Sequence, residues 1–444
     1  MVKRDALLTI ALVLLLRLPF LNEAVQGDDL YYLYGAQHAQ IDPLHPLHTH
    51  YAFLGEMVDM RGHPHGPLNS WVLGSLIAIF GEVREVPFHA AYLLFSIAAA
   101  LAMLALARRF APDHALAATA LFCVFPAFVV NGGSLEADLP FLAFWMLSIV
   151  LFMKAIDTRS ILWLAASCIA GALAGLDAYQ AVMLTPILAA YLWMRDLTWL
   201  PAWPAILAAP VTIVLWQVWE WAGSGVLPIT VLLGYMKSGS LQSASNKWAS
   251  AVTLTGHLLW LILPALAFKS LLPRKEFLRA WIWIFFAASL VIFFAGSARY
   301  LLPLYAPLAI VIANEVGRTR LLAAIAIHLI VSLGLASANA QHWNAERDFA
   351  NRVMDQANGH RVWANAEFGL RHYLEDRGAL PLLRDTVLRD GDIVVTSDLA
   401  QPVTVNAPLA RLTETLVSPS VPLPRHLDRR RLRLLLRIER HAAL

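Results

Sequence analysis

Residues 87–109 read PFHAAYLLFSIAAALAMLALARR, an apolar run of about 20 residues, long enough to cross a bilayer and closed by the adjacent arginines Arg108 and Arg109. Runs of the same kind recur from Leu7 to about Ala338, at roughly 115–130, 139–155, 160–176, 178–194, 200–221, 251–271, 280–296, 299–316 and 320–338. With a first helix over about 6–20 they make about eleven. The chain of 444 residues is 59% hydrophobic and 15% charged, whereas soluble chains are about a quarter charged. The predicted fold class is therefore an all-α polytopic membrane protein of about eleven transmembrane helices, followed by a small C-terminal α/β tail.

Charge orders the spans. Lys3 and Arg4 place the N-terminus in the cytoplasm, and Arg108/Arg109, Lys154/Arg159, Arg195, Lys269/Arg274/Lys275/Arg279 and Arg318/Arg320 then all fall on that side. The start has the charged front of a signal peptide but no small-residue cleavage site after it, and reads as a retained helix. Residues 21–86 form a large external loop rich in acids, histidines and prolines. Within it PLNSWVLGSLIAIFGE holds only about 14 apolar residues, short for a crossing, and reads as an interfacial or re-entrant helix. Residues 222–250 read as a Gly/Ser-rich external loop, of a length that often makes a lid. Residues 1–338 are the expected transmembrane catalytic domain. Residues 339–444 are the expected soluble domain, with RVWANAEF and GDIVVTSD as strands, GLRHYLEDRG as a helix and DRRRLRLLLRIER as an edge strand or a basic surface helix. No internal repeat is present. The net charge of +3 is too small to argue for nucleic acid, and Cys123 and Cys168 sit in apolar spans without metal-ligand or disulfide spacing.

Ionisable groups at a membrane boundary are costly unless solvated or paired, so their convergence on one side is informative. The first loop opens GDDLYYLYGAQHA, with Asp28, Asp29, Tyr31 and Tyr32; the second, NGGSLEADLPF, adds Glu136 and Asp138; AGSARYLLPLY adds Arg299 and Tyr300. A carboxylate can take the proton of an incoming hydroxyl or amine, and an arginine can grip a departing phosphate. Adjacent residues diverge by about 100° on a helix, so one of Asp28 and Asp29 faces the acceptor and the other holds a neighbour. N-capping is the competing reading for both acids and for Asp138, and headgroup snorkelling for Arg299.

These motifs resemble the GT-C glycosyltransferases that use polyprenyl-phosphate sugars, a group including protein O-mannosyltransferases and lipid A aminoarabinose transferases. An acidic pair with a following tyrosine is matched by Asp28, Asp29 and Tyr32. A K/H-P-P-L element is matched by His65, Pro67 and Leu68, with Gly66 where the first proline belongs. An Asp before hydrophobic-Pro is matched by Asp138, Leu139 and Pro140, and R-Y-L-L-P-L by Arg299 to Leu304.

The resemblance implies inverting transfer of a sugar from a polyprenyl-phosphate donor, such as undecaprenyl phosphate, to a lipid, glycan or protein acceptor. The reaction would take place on the extracytoplasmic face of the membrane; the lack of a retention signal and the compact length favour a bacterial plasma membrane, with the endoplasmic reticulum as the alternative. The resemblance implies Asp28, Asp29 and Asp138 as catalytic acids, and Arg299, Tyr300 and His65 as donor phosphate contacts. Tyr32 and Glu136 would line the substrate groove; Tyr179 and Gln180, at an external hairpin, read as a polar lining of the donor groove, with helix packing as the competing reading. A transporter or flippase of lipid-linked sugars is the alternative; such proteins favour ionisable groups at midbilayer and paired halves. His45, His48, His50, His63 and His65 admit a divalent metal without any fixed ligand spacing, so the metal is left unassigned.

Overall fold

The computed structural model describes residues 2–195, 198–238, 244–272, 276–357, 359–399, 403–405, 408–417 and 430–437. It begins with α1 (Val2–Arg17), followed in the first loop by α2 (Asp29–His38), the hairpin β1 (His50–Phe53) and β2 (Glu56–Asp59), and α3 (Leu68–Phe80). The bundle continues with α4 (Glu85–Phe110), α5 (Ala115–Val124), α6 (Pro126–Val130), α7 (Asp138–Thr158), α8 (Ile161–Asp177), α9 (Leu184–Arg195) and α10 (Trp203–Ser224). After these come α11 (Pro228–Ser238), α12 (Ala244–Ile262), α13 (Phe277–Ile292), α14 (Leu302–Glu315) and α15 (Arg318–Gln356). The tail holds β3 (Val362–Asn365), α16 (Phe368–Asp376), β4 (Leu380–Pro381), β5 (Ile393–Ser397), β6 (Leu409–Val417) and β7 (Arg430–Arg437).

Helices stand at every expected position, but five among the described residues are long and apolar enough to cross a membrane, or six if the bent α5–α6 pair is one span. The other expected crossings fall on the shorter helices α1, α8, α9, α13 and α14, of 16, 17, 12, 16 and 14 residues. The 64° bend follows from sequence. Phe125 is extended before Pro126, whose missing N–H and fixed φ suit a first helical position and not a helix interior. The bend leaves α6 ending inside the protein, where Arg17 donates to the carbonyls of Phe128 and Val129. These carbonyls lie in the last turn of a helix, where a cation has the favourable sign. Gly132 makes the room: a Cβ there would stand 1.4 Å from the guanidinium.

Two sequence expectations are corrected. Residues 222–250, expected as a loop, are largely the end of α10, α11 and the start of α12; residues 239–243 lie outside the described set, as do Arg274 and Lys275. DRRRLRLLLRIER, expected at an edge, supplies β7, which lies inside a sheet ordered β4-β3-β5-β7-β6. It pairs antiparallel with β5 and β6, while β3 runs parallel to β4 and β5.

The main apolar cluster runs through α4, α5, α7, α9, α13 and α14, with Trp145, Trp281 and Phe122 fully buried. Where α8 meets α10, small residues replace large ones. Gly171 and Gly175, four apart, lie against Ala208 and Ala209, and a Cβ on Gly175 would come within 2.8 Å of the Ala209 carbonyl. Close backbone approach of this kind drives helix association where no hydrophobic effect operates. Gly175→Val is expected to destabilise the bundle by about 1–3 kcal/mol, the range for overpacking, read as a lower thermal midpoint in detergent; an unchanged midpoint would refute tight α8–α10 packing.

Candidate active site

The first loop begins with a left-handed glycine. Gly27, at φ 47°, turns the chain so that Asp28 stands at the N-cap of α2, but no side-chain cap hydrogen bond forms there. Its carboxylate turns instead to Arg299, whose Nη2 donates to Asp28 Oδ2 at 2.7 Å. Asp29 points the other way, as the helical angle requires. Fully buried, it accepts from the backbone N–H of Gln26 (3.0 Å), the Ser134 hydroxyl (2.8 Å) and the backbone N–H of Leu135 (2.7 Å). Burial raises its pKa to about 7 against those hydrogen bonds. Expected among the catalytic acids, Asp29 here ties the first loop to the second through hydrogen bonds on both carboxylate oxygens.

Arg299 sits on a 3-10 turn, Ala298–Leu301, just before α14. Its Nη1 pairs with Glu136 and stands 3.8 Å from Asp138 Oδ2. One guanidinium thus faces three carboxylates from two segments, the first loop and the second. The side chains of Glu136 and Asp138 are 7% exposed and that of Asp28 is 35%, so Asp28 is the member a substrate can reach. Asp138 does not cap α7, whose N-cap is Ala137.

Tyr32 lies buried beside this cluster, its ring edge-on to His63 and His65 at 5.0 and 5.3 Å. Loss of water lowers the His63 pKa to about 4 and that of His65 well below the usual value, so both rings are neutral. His65 Nδ1 lies 3.3 Å from the Asp177 carbonyl. A ring donating there presents Nε2 as an acceptor, suited to a hydroxyl rather than to the phosphate oxygen expected from the sequence. Gly66 has its own reason for replacing proline. Its N–H donates to the Asp177 carbonyl at 3.2 Å, and a Cβ would stand 2.2 Å from the Leu176 carbonyl.

Tyr300 stacks on Phe293 at 4.4 Å beneath the Arg299 guanidinium. Tyr179 accepts from the Gln217 side chain at 2.9 Å and packs with Leu47, Met60 and Trp216, away from the acids. The Gln180 side-chain oxygen is buried without a hydrogen-bond partner. Asp177, not singled out from the sequence, is fully buried with both carboxylate oxygens unpartnered. Its signal was a lone acid at the end of an apolar run.

The tail closes one side. Glu367 accepts from the Tyr31 hydroxyl and from the Leu54 backbone N–H, both at 2.8 Å, and pairs with Arg371 at 2.7 Å. Arg371 also donates to the Ala52 carbonyl at 2.6 Å, and the Val25 backbone N–H donates to the Tyr373 hydroxyl at 2.7 Å. Beyond Arg299, a mostly apolar cavity of about 540 Å3 opens between α6, α12, α14 and α15, lined by Pro126, Trp260, Leu261, Tyr305, Val331 and Leu335. One group among the described residues has metal-ligand spacing, His45, His48 and Glu220, built on segments other than those of the acid cluster.

Residues 63–221 match the family described as dolichyl-phosphate-mannose-protein mannosyltransferase. The fold is similar to two crystal structures of ArnT from Cupriavidus metallidurans. One is bound to undecaprenyl phosphate (TM-score 0.57, 14% identity, 96% of this chain and 97% of that chain). The other is in the apo state (TM-score 0.59, 13% identity, with the same coverage of both chains). No curated protein matches the chain in sequence. The resemblance to GT-C glycosyltransferases read from the four motifs is borne out, in fold over nearly the whole chain and in family match over residues 63–221.

Two outcomes follow. Asp29→Ala strands the N–H groups of Gln26 and Leu135 and is expected to cost about 2–4 kcal/mol of stability; Asp29→Asn, which keeps one of the two acceptor oxygens, is expected to cost less, with thermal melts of the two variants deciding. For His63, an unfolded pKa of 6.5 and a folded one of about 4 mean that the unfolded chain binds the proton first, so stability is lost as pH falls through that interval. His63→Gln is expected to flatten the thermal midpoint between pH 6.5 and 4 relative to wild type.

Proposed function

We propose that the chain is an integral membrane glycosyltransferase that moves a sugar from a polyprenyl phosphate to a hydroxyl or amine of a lipid, glycan or protein acceptor. The observation that carries the reading is the position of Arg299, between three carboxylates on one side and an apolar cavity on the other. An amphiphilic donor needs that junction: a cation for its phosphate, an apolar wall for its prenyl chain, and a base where the acceptor arrives. The ArnT structure similar in fold is one bound to undecaprenyl phosphate, which supports a donor of this class.

In this reading the donor phosphate takes part of the Arg299 guanidinium, and Asp28 is released from its ion pair to act as base. Asp28 accepts the acceptor proton as the acceptor oxygen or nitrogen attacks the anomeric carbon. The bond from that carbon to the phosphate oxygen breaks, its electron pair stays on the phosphate, and Arg299 stabilises the charge. A single displacement inverts the anomeric centre. Glu136 and Asp138 hold Arg299 in place, and the neutral His65 accepts from a sugar or acceptor hydroxyl. The first loop, the second loop and the tail meet at one end of the bundle, and the charge pattern of the sequence supports that end as extracytoplasmic.

Transfer of labelled sugar from a polyprenyl-phosphate donor by the purified protein tests the proposal. Asp28→Asn is expected to lower kcat by about 10²–10⁴-fold, the range for general-base loss, with donor affinity within a few fold of wild type. Unchanged turnover would remove Asp28 as base. Movement of lipid-linked sugar across vesicles without any transfer would favour the transporter alternative.

A further inference from the structure

The fragment Asp42–His48, DPLHPLH, folds as a compact turn. The backbone N–H groups of Leu44 and His45 both donate to Asp42 Oδ1 at 3.2 Å, and that of His48 donates to the His45 carbonyl at 3.0 Å. Two indoles hold the turn from outside, Trp71 donating to the Pro43 carbonyl at 2.8 Å and Trp219 to the Leu44 carbonyl at 3.3 Å. The three-residue spacing puts both histidines on one side, where their rings stack at 4.4 Å. Across from them stands Glu220, near the C-terminal end of α10 and fully buried. His48 Nε2 meets Glu220 Oε2, and His45 Nδ1 faces Glu220 Oε1 at 3.5 Å.

Two independent observations single this group out. His45 Nδ1 and Glu220 Oε1 are buried with no hydrogen-bond partner, although a fully buried carboxylate is costly unless its charge is met. Gly223, on the turn of α10 after Glu220, leaves space for the His45 ring, since a Cβ there would stand 2.6 Å from His45 Cε1. The three ligand atoms lie within 4.8 Å of one another.

We propose that His45, His48 and Glu220 form a divalent metal site, with zinc as the fitting cation, that fastens the first loop to the end of α10. Two imidazoles and one carboxylate are a borderline ligand set that suits zinc; magnesium and calcium prefer all-oxygen sites. Zinc would neutralise the Glu220 carboxylate and occupy both unpartnered atoms, leaving its fourth position to water. The role is to hold Leu47, Met60 and Trp216 together behind the loop that carries Tyr32 and His65. No step of sugar transfer passes through the ion, so the site stands or falls apart from the proposed activity.

The test uses the full chain purified in detergent, stripped with chelator and dialysed against micromolar zinc, with the metal measured by elemental analysis and cobalt substitution read by visible absorption. One zinc per chain is expected, with an upward shift of the thermal midpoint, a low-coordinate cobalt spectrum, and no such effect from magnesium. His48→Gln and Glu220→Gln are each expected to weaken zinc binding by at least about tenfold, whereas the remote His114→Gln leaves it unchanged. Wild-type protein that retains no stoichiometric zinc overturns the proposal without recourse to any variant, and so does binding undiminished in both ligand variants.

Discussion

The interaction on which the site depends is an imbalance: a single guanidinium, Arg299, faces Asp28, Glu136 and Asp138. Three acids brought together by two chain segments would repel one another; the arginine, from a third, makes their meeting tolerable but leaves an excess of negative charge. That excess is held in place by packing, by Asp29 tying the first loop to Ser134 and Leu135, and by the tail pressing Glu367 and Arg371 against α2 and the β1–β2 hairpin. In the proposed reading an anionic donor would compete with Asp28 for Arg299, so that donor binding and release of Asp28 would be one event.

The hydrophobic pattern located helices well, because apolar runs in a membrane protein report position directly. It was weaker on where helices break. The bend at Pro126 needed the buried carbonyls of Phe128 and Val129 to find Arg17, more than a hundred residues away in sequence, and no local pattern carries that. Residues 222–250 looked like a loop because Gly and Ser lower their hydropathy, but α11 and α12 form there, with the aromatic ring of Tyr235 on α11 lying over Gly62 of the first loop. β7 looked like an edge strand because of its arginines, and the pairing partners on both sides lie outside the reach of strand alternation.

At the site, the divergence of Asp28 and Asp29 was legible from helical geometry alone, and so was the company of Arg299. What each acid touches was not. Asp29 reads as chemistry because acids beside a membrane usually are, and it becomes a strut only when Ser134 arrives from the second loop. Gly66 reads as a defect in a motif until the Leu176 carbonyl is seen to occupy the space a ring would need. Glu367 and Arg371, separated by four residues in an amphipathic helix, gave no hint that their partners were Tyr31, Leu54 and Ala52.

Helix α15 has 39 residues and no proline between Arg318 and Gln356. At 1.5 Å per residue it is a rod of about 58 Å, nearly twice the roughly 30 Å of a hydrocarbon core. About half of it must stand clear of the lipid, carrying the tail at a fixed height, while α16 at its far end grips the first loop. Such a rod cannot shorten. Where such a rod tilts to meet a bilayer of different thickness, its far end and the tail it carries move with it.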